Sequence, residues 1–220
     1  MITFNTLSCF LGMWCGVNFD LVAVFLFPFA LLVFLIEFLD TKTSWHREIY
    51  RKIIHVTAGL IIISATYYLG YQEILFFALA LLCGSILFEL ITFRSMSGVS
   101  RKSHGSIYFA VAFLLVTLFF GQINNEFVRF GIWLLIVPDT LAALIGSRWG
   151  KQIESYGKSI LGSAVFFISA LIVSYLFCTN IILSLALAII LTVVEFFSKK
   201  GIDNLLLPLV GSGLLYIFFI

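Results

Sequence analysis

Charge is what this 220-residue chain has least of: Asp, Glu, Lys and Arg make up 11% of it, against about 25% in an ordinary soluble domain. With 62% hydrophobic residues and a mean hydropathy of +1.14, a water-soluble globular fold is excluded, and nothing points to nucleic acid as a partner. No Lys or Arg precedes Lys42, so the first apolar stretch lacks a basic leading region and is not expected to be a cleaved signal peptide. Cys9, Cys15, Cys83 and Cys178 stand among apolar residues without CxxC spacing. That argues against cysteine-based metal or redox chemistry and leaves them as small buried hydrophobes. The strand–GxxxxGK[ST]–helix context of a P-loop is missing as well.

What is present is a series of apolar runs near residues 20–39, 53–71, 72–93, 104–121, 126–147, 158–178 and 180–198, each close to the roughly 20 residues that cross a bilayer. Residues 2–19 carry Asn5, Asn18 and a Gly12-xxx-Gly16 spacing, and read as a short span, a re-entrant piece or an interfacial helix. Residues 205–220 are apolar but only 16 long. The expectation is an all-α, polytopic integral membrane protein of seven to nine transmembrane helices, forming one domain over residues 1–220. Its 25 phenylalanines are read as lipid-facing bulk.

Basic residues alternate between connecting segments. Lys42, Arg47, Arg51 and Lys52 fall in one, Arg94, Arg101 and Lys102 in the next but one, then Arg148, Lys151 and Lys158, then Lys199 and Lys200. The turns between, near Gly70–Glu73, Gly121–Glu126 and Cys178–Asn180, hold none, and only Arg129 lies just beyond one of them. Twelve of thirteen basic residues on one side assign that side to the cytoplasm. Glu37, Glu89 and Glu195 lie within about one or two turns of that end of their spans. His55 and His104 follow the Arg51-Lys52 and Arg101-Lys102 pairs, and Asp203-Asn204 follows Lys199-Lys200-Gly201. Acids and bases from several loops therefore gather on one face.

The stretch from Pro138 to Ser163 concentrates these signals. Asp139 lies inside an apolar span, where an acid marks a functional site, and no span is expected to offer it a Lys or Arg partner at that depth. Pro138 should kink the helix and leave the carbonyl near Leu134 available. Ala142, Ala143, Gly146 and Gly150 recur at helical spacing, making a face without bulk that admits a ligand or a close neighbour. Lys151 and Lys158, each preceded by glycine, and a new helix start at Gly162-Ser163 complete the parts of a phosphate site. The Gly12–Gly16 and Gly146–Gly150 spacings are also compatible with a homodimer.

Taken in order, Arg51-Lys-Ile-Ile-His55-Val-Thr-Ala-Gly59, Lys102-Ser-His104-Gly105-Ser-Ile-Tyr108-Phe, Asp139-Thr-Leu-Ala142-Ala-Leu-Ile-Gly146 with Gly150-Lys151, Lys158-Ser-Ile-Leu-Gly162-Ser163, and Gly201-Ile-Asp203-Asn204 with Pro208 resemble the CTP-dependent lipid kinases. These are dolichol kinase, phytol kinase and the yeast-type diacylglycerol kinase. The resemblance covers about residues 47–210. Its Asp-Gly-Lys region is also similar to that of the phosphatidate cytidylyltransferases, while the Arg-Lys-xx-His and Asp-Asn-xxx-Pro segments favour the kinases. Two positions depart from the family pattern: Pro138 stands where a Gly precedes the Asp, and Ser159-Ile160-Leu161-Gly162 stands where Thr-x-Glu-Gly is usual.

The resemblance implies transfer of the γ-phosphoryl group of CTP to a membrane alcohol, a polyprenol, phytol or diacylglycerol, with Mg²⁺ as cofactor. In that reading Asp139, Lys151 and Lys158 are catalytic. Arg51, Lys52, His55, Lys102, His104, Gly146, Gly150, Gly162, Ser163, Asp203 and Asn204 bind nucleotide or phosphate, and Asp139, Glu89 and Glu195 are the metal's carboxylates. The alternatives are formation of CDP-diacylglycerol from CTP and phosphatidate, and a catalytically inactive binding or transport protein on the same fold.

Overall fold

The computed structural model describes residues 17–40, 47–95, 105–153, 158–199 and 201–219. Four helices come first: α1 (Phe19–Asp40), α2 (Arg47–Tyr68), α3 (Tyr71–Ser95) and α4 (Gly105–Phe120). A long interrupted helix follows, made of α5 (Asn125–Leu134), a π-helical turn (Leu135–Asp139) and α6 (Thr140–Trp149). Two short strands, β1 (Gln152–Ile153) and β2 (Lys158–Ser159), then lead into α7 (Ile160–Cys178), α8 (Ile181–Phe197) and α9 (Asp203–Phe219). All seven expected spans are helices, and the apolar C-terminal stretch adds another. The expectations for residues 2–16, including the Gly12–Gly16 spacing, lie outside the described residues.

The molecule is an all-α membrane protein. Tyr71–Leu90, Asn125–Trp149 and Ile160–Cys178 are each long and apolar enough to cross a bilayer. The second of these is the centre of the bundle: 61% of its apolar window is buried, against 28% and 33% for the other two. It packs against α2, α4, α7 and α9, so whatever it carries at mid-length is enclosed by helices.

Phenylalanine does more than face lipid, which corrects the reading from composition. Phe77, Phe113, Phe130 and Phe166 are among the largest fully buried side chains, and Phe77 meets Phe113 edge to face at 6.0 Å between ring centroids. With little hydrophobic force between helices inside lipid, packing of this kind and small-residue contacts hold the bundle together. Gly59 supplies one such contact. A Cβ there would lie 2.6 Å from Ile136 on the π turn, so α2 approaches the central helix only because the side chain is absent.

Helix ends follow local chemistry. Asn124, Ser159 and Asn180 cap α5, α7 and α8 by accepting backbone N–H bonds from Glu126, from Gly162, and from Ile182 and Leu183. Between α7 and α8, Thr179 takes the left-handed conformation at φ 52°, and the chain reverses within two residues.

Candidate functional site

The central helix changes its winding at the residues that matter. Pro138 has no N–H to give to the preceding turn, and the segment Leu135–Asp139 widens into a π turn, a form found mostly as single turns inside α-helices and frequently at functional sites. Thr140 Oγ1 donates to the Leu135 carbonyl at 3.1 Å, occupying one acceptor that the altered winding exposes. The turn ends on Asp139, which is buried.

Asp139 has a cationic partner, contrary to the expectation from sequence. The Lys52 ammonium donates to Asp139 Oδ2, and its distance to the Asp139 carbonyl is 3.4 Å. Both side chains are almost wholly buried, at 3% and 4% exposure. The correction has a simple cause. α2 begins at Arg47 rather than at residue 53, so Lys52 and His55 lie within the helix and not at its mouth. His55 is buried too and stacks on Phe109 of α4, with 5.2 Å between ring centroids.

A second charged cluster forms at the far end of α6. β1 and β2 pair antiparallel, Gln152 with Ser159 and Ile153 with Lys158, a short ladder where sequence suggested a plain loop. This ladder turns Lys158 toward α8 and α9. Lys158 Nζ donates to Glu195 Oε1 at 2.5 Å and to Asp203 Oδ2 at 2.8 Å, and Ser163 Oγ donates to Glu195 Oε2 at 3.3 Å. Lys158 lies outside the membrane-spanning segments. Burial alone would lower the pKa of its ammonium, but the Asp203 and Glu195 carboxylates outweigh that and hold it above the ordinary 10.5 of a lysine.

The glycine face joins the two clusters by admitting a neighbour. A Cβ on Gly146 would lie 2.7 Å from Ser159 Oγ, and one on Gly150 would lie 2.3 Å from it and 2.7 Å from the Gly146 carbonyl. Gly162 sits against the Ala142 carbonyl, 3.0 Å from where a Cβ would be. The Gly146–Gly150 spacing is thus filled within the chain by the start of α7. The Gly162 N–H, expected to face a phosphate, instead donates to Ser159 Oγ at 3.0 Å, and Ser159 Oγ donates to the Gly146 carbonyl at 3.2 Å. Ser159 was missed as a site-building residue, although a Ser directly before an apolar run is a helix-start signal.

Of the remaining expected residues, Asn204 is buried and ties α9 to the first residue of α4, its amide donating to the Gly105 carbonyl at 3.1 Å. Lys151 is exposed between α6 and β1. Lys102 and His104 lie outside the described residues, as does the side chain of Arg51. The three-carboxylate metal set is not assembled. Glu89 rides on α3, which packs against α1 and α4, and among the described residues no three of His, Cys, Asp and Glu come together as metal ligands.

The described site thus comprises two lysines and three carboxylates in two clusters, Lys52 with Asp139 and Lys158 with Glu195 and Asp203. They lie at either end of α6, with Asp139 and Gly146 separated by about 10 Å at 1.5 Å per residue. One cluster is enclosed at mid-span and the other is partly open beyond the span. This defines a polytopic membrane protein with one charged cluster inside the bundle and a second beyond the end of α6.

Across 219 residues the chain is 32% identical to a phytol kinase of Synechocystis sp., covering 93% of this chain and 91% of that protein. It belongs to the lipid-kinase family of which phytol kinase is a member. It is also 32% identical to an uncharacterised protein of Methanocaldococcus jannaschii, covering 74% of this chain and 90% of the relative. An uncharacterised protein of Rickettsia prowazekii is 32% identical, covering 72% and 88%. No family model matches the chain, and no solved structure matches it.

Proposed function

We propose that this protein is a lipid kinase that transfers the γ-phosphoryl group of CTP to the hydroxyl of a long-chain membrane alcohol of the phytol or polyprenol class, on the cytoplasmic side of the bilayer. The observation that carries the proposal is the Lys52–Asp139 pair on the π turn. It sets a carboxylate and an ammonium inside the bundle, which this reading assigns as base and cation where a lipid hydroxyl from the bilayer meets a triphosphate from the outer cluster. The 32% identity to phytol kinase supports the same reaction class.

In this reading the alcohol gives its proton to Asp139 as its oxygen bonds to the γ-phosphorus. The bond from that phosphorus to the β-bridging oxygen breaks, and CDP leaves with the electron pair. Lys52, held against Asp139, faces the oxygens of the transferred group, and Lys158 and Lys151 neutralise the rest of the triphosphate. Phosphoryl transfer asks a protein chiefly for such positioning and charge neutralisation. Arg51, His55, Lys102 and His104 are assigned to nucleotide binding in the same reading.

Magnesium fits the donor set. It is held as a rule through one or two carboxylates plus substrate phosphates, and Glu195 and Asp203 bring two hard oxygens from different helices onto one cationic atom, Lys158 Nζ. Glu195 with Asp203, or Asp139, would hold the ion, whose contribution is to neutralise phosphate charge. By formal count, three carboxylates against two lysines leave the described clusters one negative charge. A triphosphate there calls for added positive charge.

The test is turnover of purified protein in mixed lipid micelles with Mg²⁺, offering CTP, ATP, GTP and UTP in turn with phytol, a polyprenol and diacylglycerol. A lipid monophosphate formed with CTP and a prenol is expected. The absence of any lipid phosphate across that grid would refute the kinase reading.

A further inference from the structure

The geometry points to an open groove between α2 and α6 as the subsite for the apolar chain of the acceptor alcohol, with Val56, Thr57 and Leu144 setting which chains fit. The inference rests on the kinase reading and deepens it. Among the described residues the groove is lined by Lys52, Ile53, Val56, Thr57, Thr140 and Leu144 and has a volume of about 220 Å³.

Three observations fix the chemistry of its occupant. The lining is apolar even though three of the six residues are polar by type, because their polar atoms are engaged elsewhere. Thr57 Oγ1 donates to the Ile53 carbonyl at 2.9 Å, Thr140 Oγ1 donates to the Leu135 carbonyl at 3.1 Å, and the Lys52 ammonium is held by Asp139. What remains for the groove is methyl and methylene surface. The groove is also continuous with the charged site, since Lys52 and Thr140 both line it and the one pairs with Asp139 while the other follows it in sequence. Finally, the groove opens to the outside of the bundle at Ile53, which lines it and is 39% exposed.

An occupant must therefore be aliphatic along its length and polar at the end that meets Asp139. A single-chain alcohol meets both demands. The volume lies below the roughly 300–1,000 Å³ of pockets that enclose a whole small molecule, so the groove takes the first carbons after the hydroxyl and leaves the rest of the tail in the bilayer. Selectivity should accordingly be set by branching and bulk near the hydroxyl and be indifferent to chain length beyond it. A glycerol diester, with two ester groups next to its hydroxyl, suits this lining poorly.

Two measurements test the subsite. In the first, Val56→Trp and Leu144→Trp are compared with Ile168→Trp, an exposed position on α7 away from the groove. The groove variants are expected to lower kcat/KM for a branched prenol at least tenfold while the nucleotide KM stays within twofold, and Ile168→Trp is expected to match the parent. Groove variants indistinguishable from Ile168→Trp would overturn the assignment. The second measurement uses unaltered protein, so it survives any folding failure of the variants: a prenol bearing a photoreactive diazirine within a few carbons of its hydroxyl is crosslinked in micelles. Label recovered on residues 52–57 or 140–144 and displaced by excess prenol supports the subsite. Label recovered elsewhere, or not displaced, overturns it. Turnover with label elsewhere would remove the groove and keep the kinase, whereas displaceable label in the groove without turnover would keep the subsite and remove the kinase.

Discussion

Lys52 and Asp139, 87 residues apart in sequence, form an ion pair with both side chains almost fully buried. Breaking a buried pair by removing one partner typically costs about 3–5 kcal/mol, whereas exchanging both partners for apolar residues is often neutral or stabilising. Asp139→Asn and Lys52→Met should therefore each lower the thermal midpoint in detergent. The Lys52→Met/Asp139→Leu double variant should recover most of that loss while remaining inactive. Full turnover by Asp139→Asn would remove the central role given to this carboxylate.

The outer cluster predicts a particular pH response. Because the carboxylates raise the Lys158 pKa, its contribution to stability is complete below the unfolded value near 10.5 and is lost only as pH rises through the still higher folded value. The difference in thermal midpoint between parent and Lys158→Met should thus be the same at about pH 7 and about pH 9.5. A difference that shrinks over that interval would mean that Lys158 loses its proton early. The variant should also raise the nucleotide KM more than the alcohol KM.

Much of the architecture was legible because lipid leaves the chain few choices. Apolar runs of spanning length can satisfy their backbone only as helices or closed barrels, so the seven spans follow from hydropathy, and the family followed from five short motifs in order. The site was legible only as a collection of residues. Depth in an apolar span marks Asp139 in the sequence, but its partner is hidden because a positive residue at a helix start looks the same in sequence whether it lies in a loop or one turn inside. Sequence assigns Lys158, Glu195 and Asp203 separate tasks, since nothing in their spacing reveals that a strand pair aims the first between the other two. The glycine face carried two readings, and a neighbouring helix fills it because Ser159 supplies a cap, a contact and a hydrogen bond at the same point.

Gly150→Ala tests that contact. The added methyl would lie 2.6 Å from Ser159 Cβ and 2.7 Å from the Gly146 carbonyl, and overpacking of this kind costs about 1–3 kcal/mol. Ser159 must shift, and Lys158 precedes it, so the variant should lose stability and raise the nucleotide KM together. A stable Gly150→Ala protein with parental kinetics would show that the α6–α7 contact does not position Lys158.

A control sits at the opposite end of the bundle. Arg129 donates from Nε to Thr66 Oγ1 at 3.0 Å and from a terminal nitrogen to the Thr66 carbonyl at 3.2 Å, and its guanidinium lies 3.8 Å above the Tyr67 ring. These contacts tie α5 to the end of α2. Arg129→Ala should destabilise the fold by about 1–3 kcal/mol and leave both substrate KM values unchanged in the protein that remains folded. A selective change in either KM would place part of the active site at that end.

The most direct test of the whole account is to supply CTP labelled on either the α- or the γ-phosphate to purified protein with Mg²⁺, a prenol, diacylglycerol and phosphatidate in mixed micelles, and to follow label into lipid. The account predicts label from the γ position only, in a prenyl monophosphate. Label entering lipid from the α position, in a CDP-lipid, would contradict it.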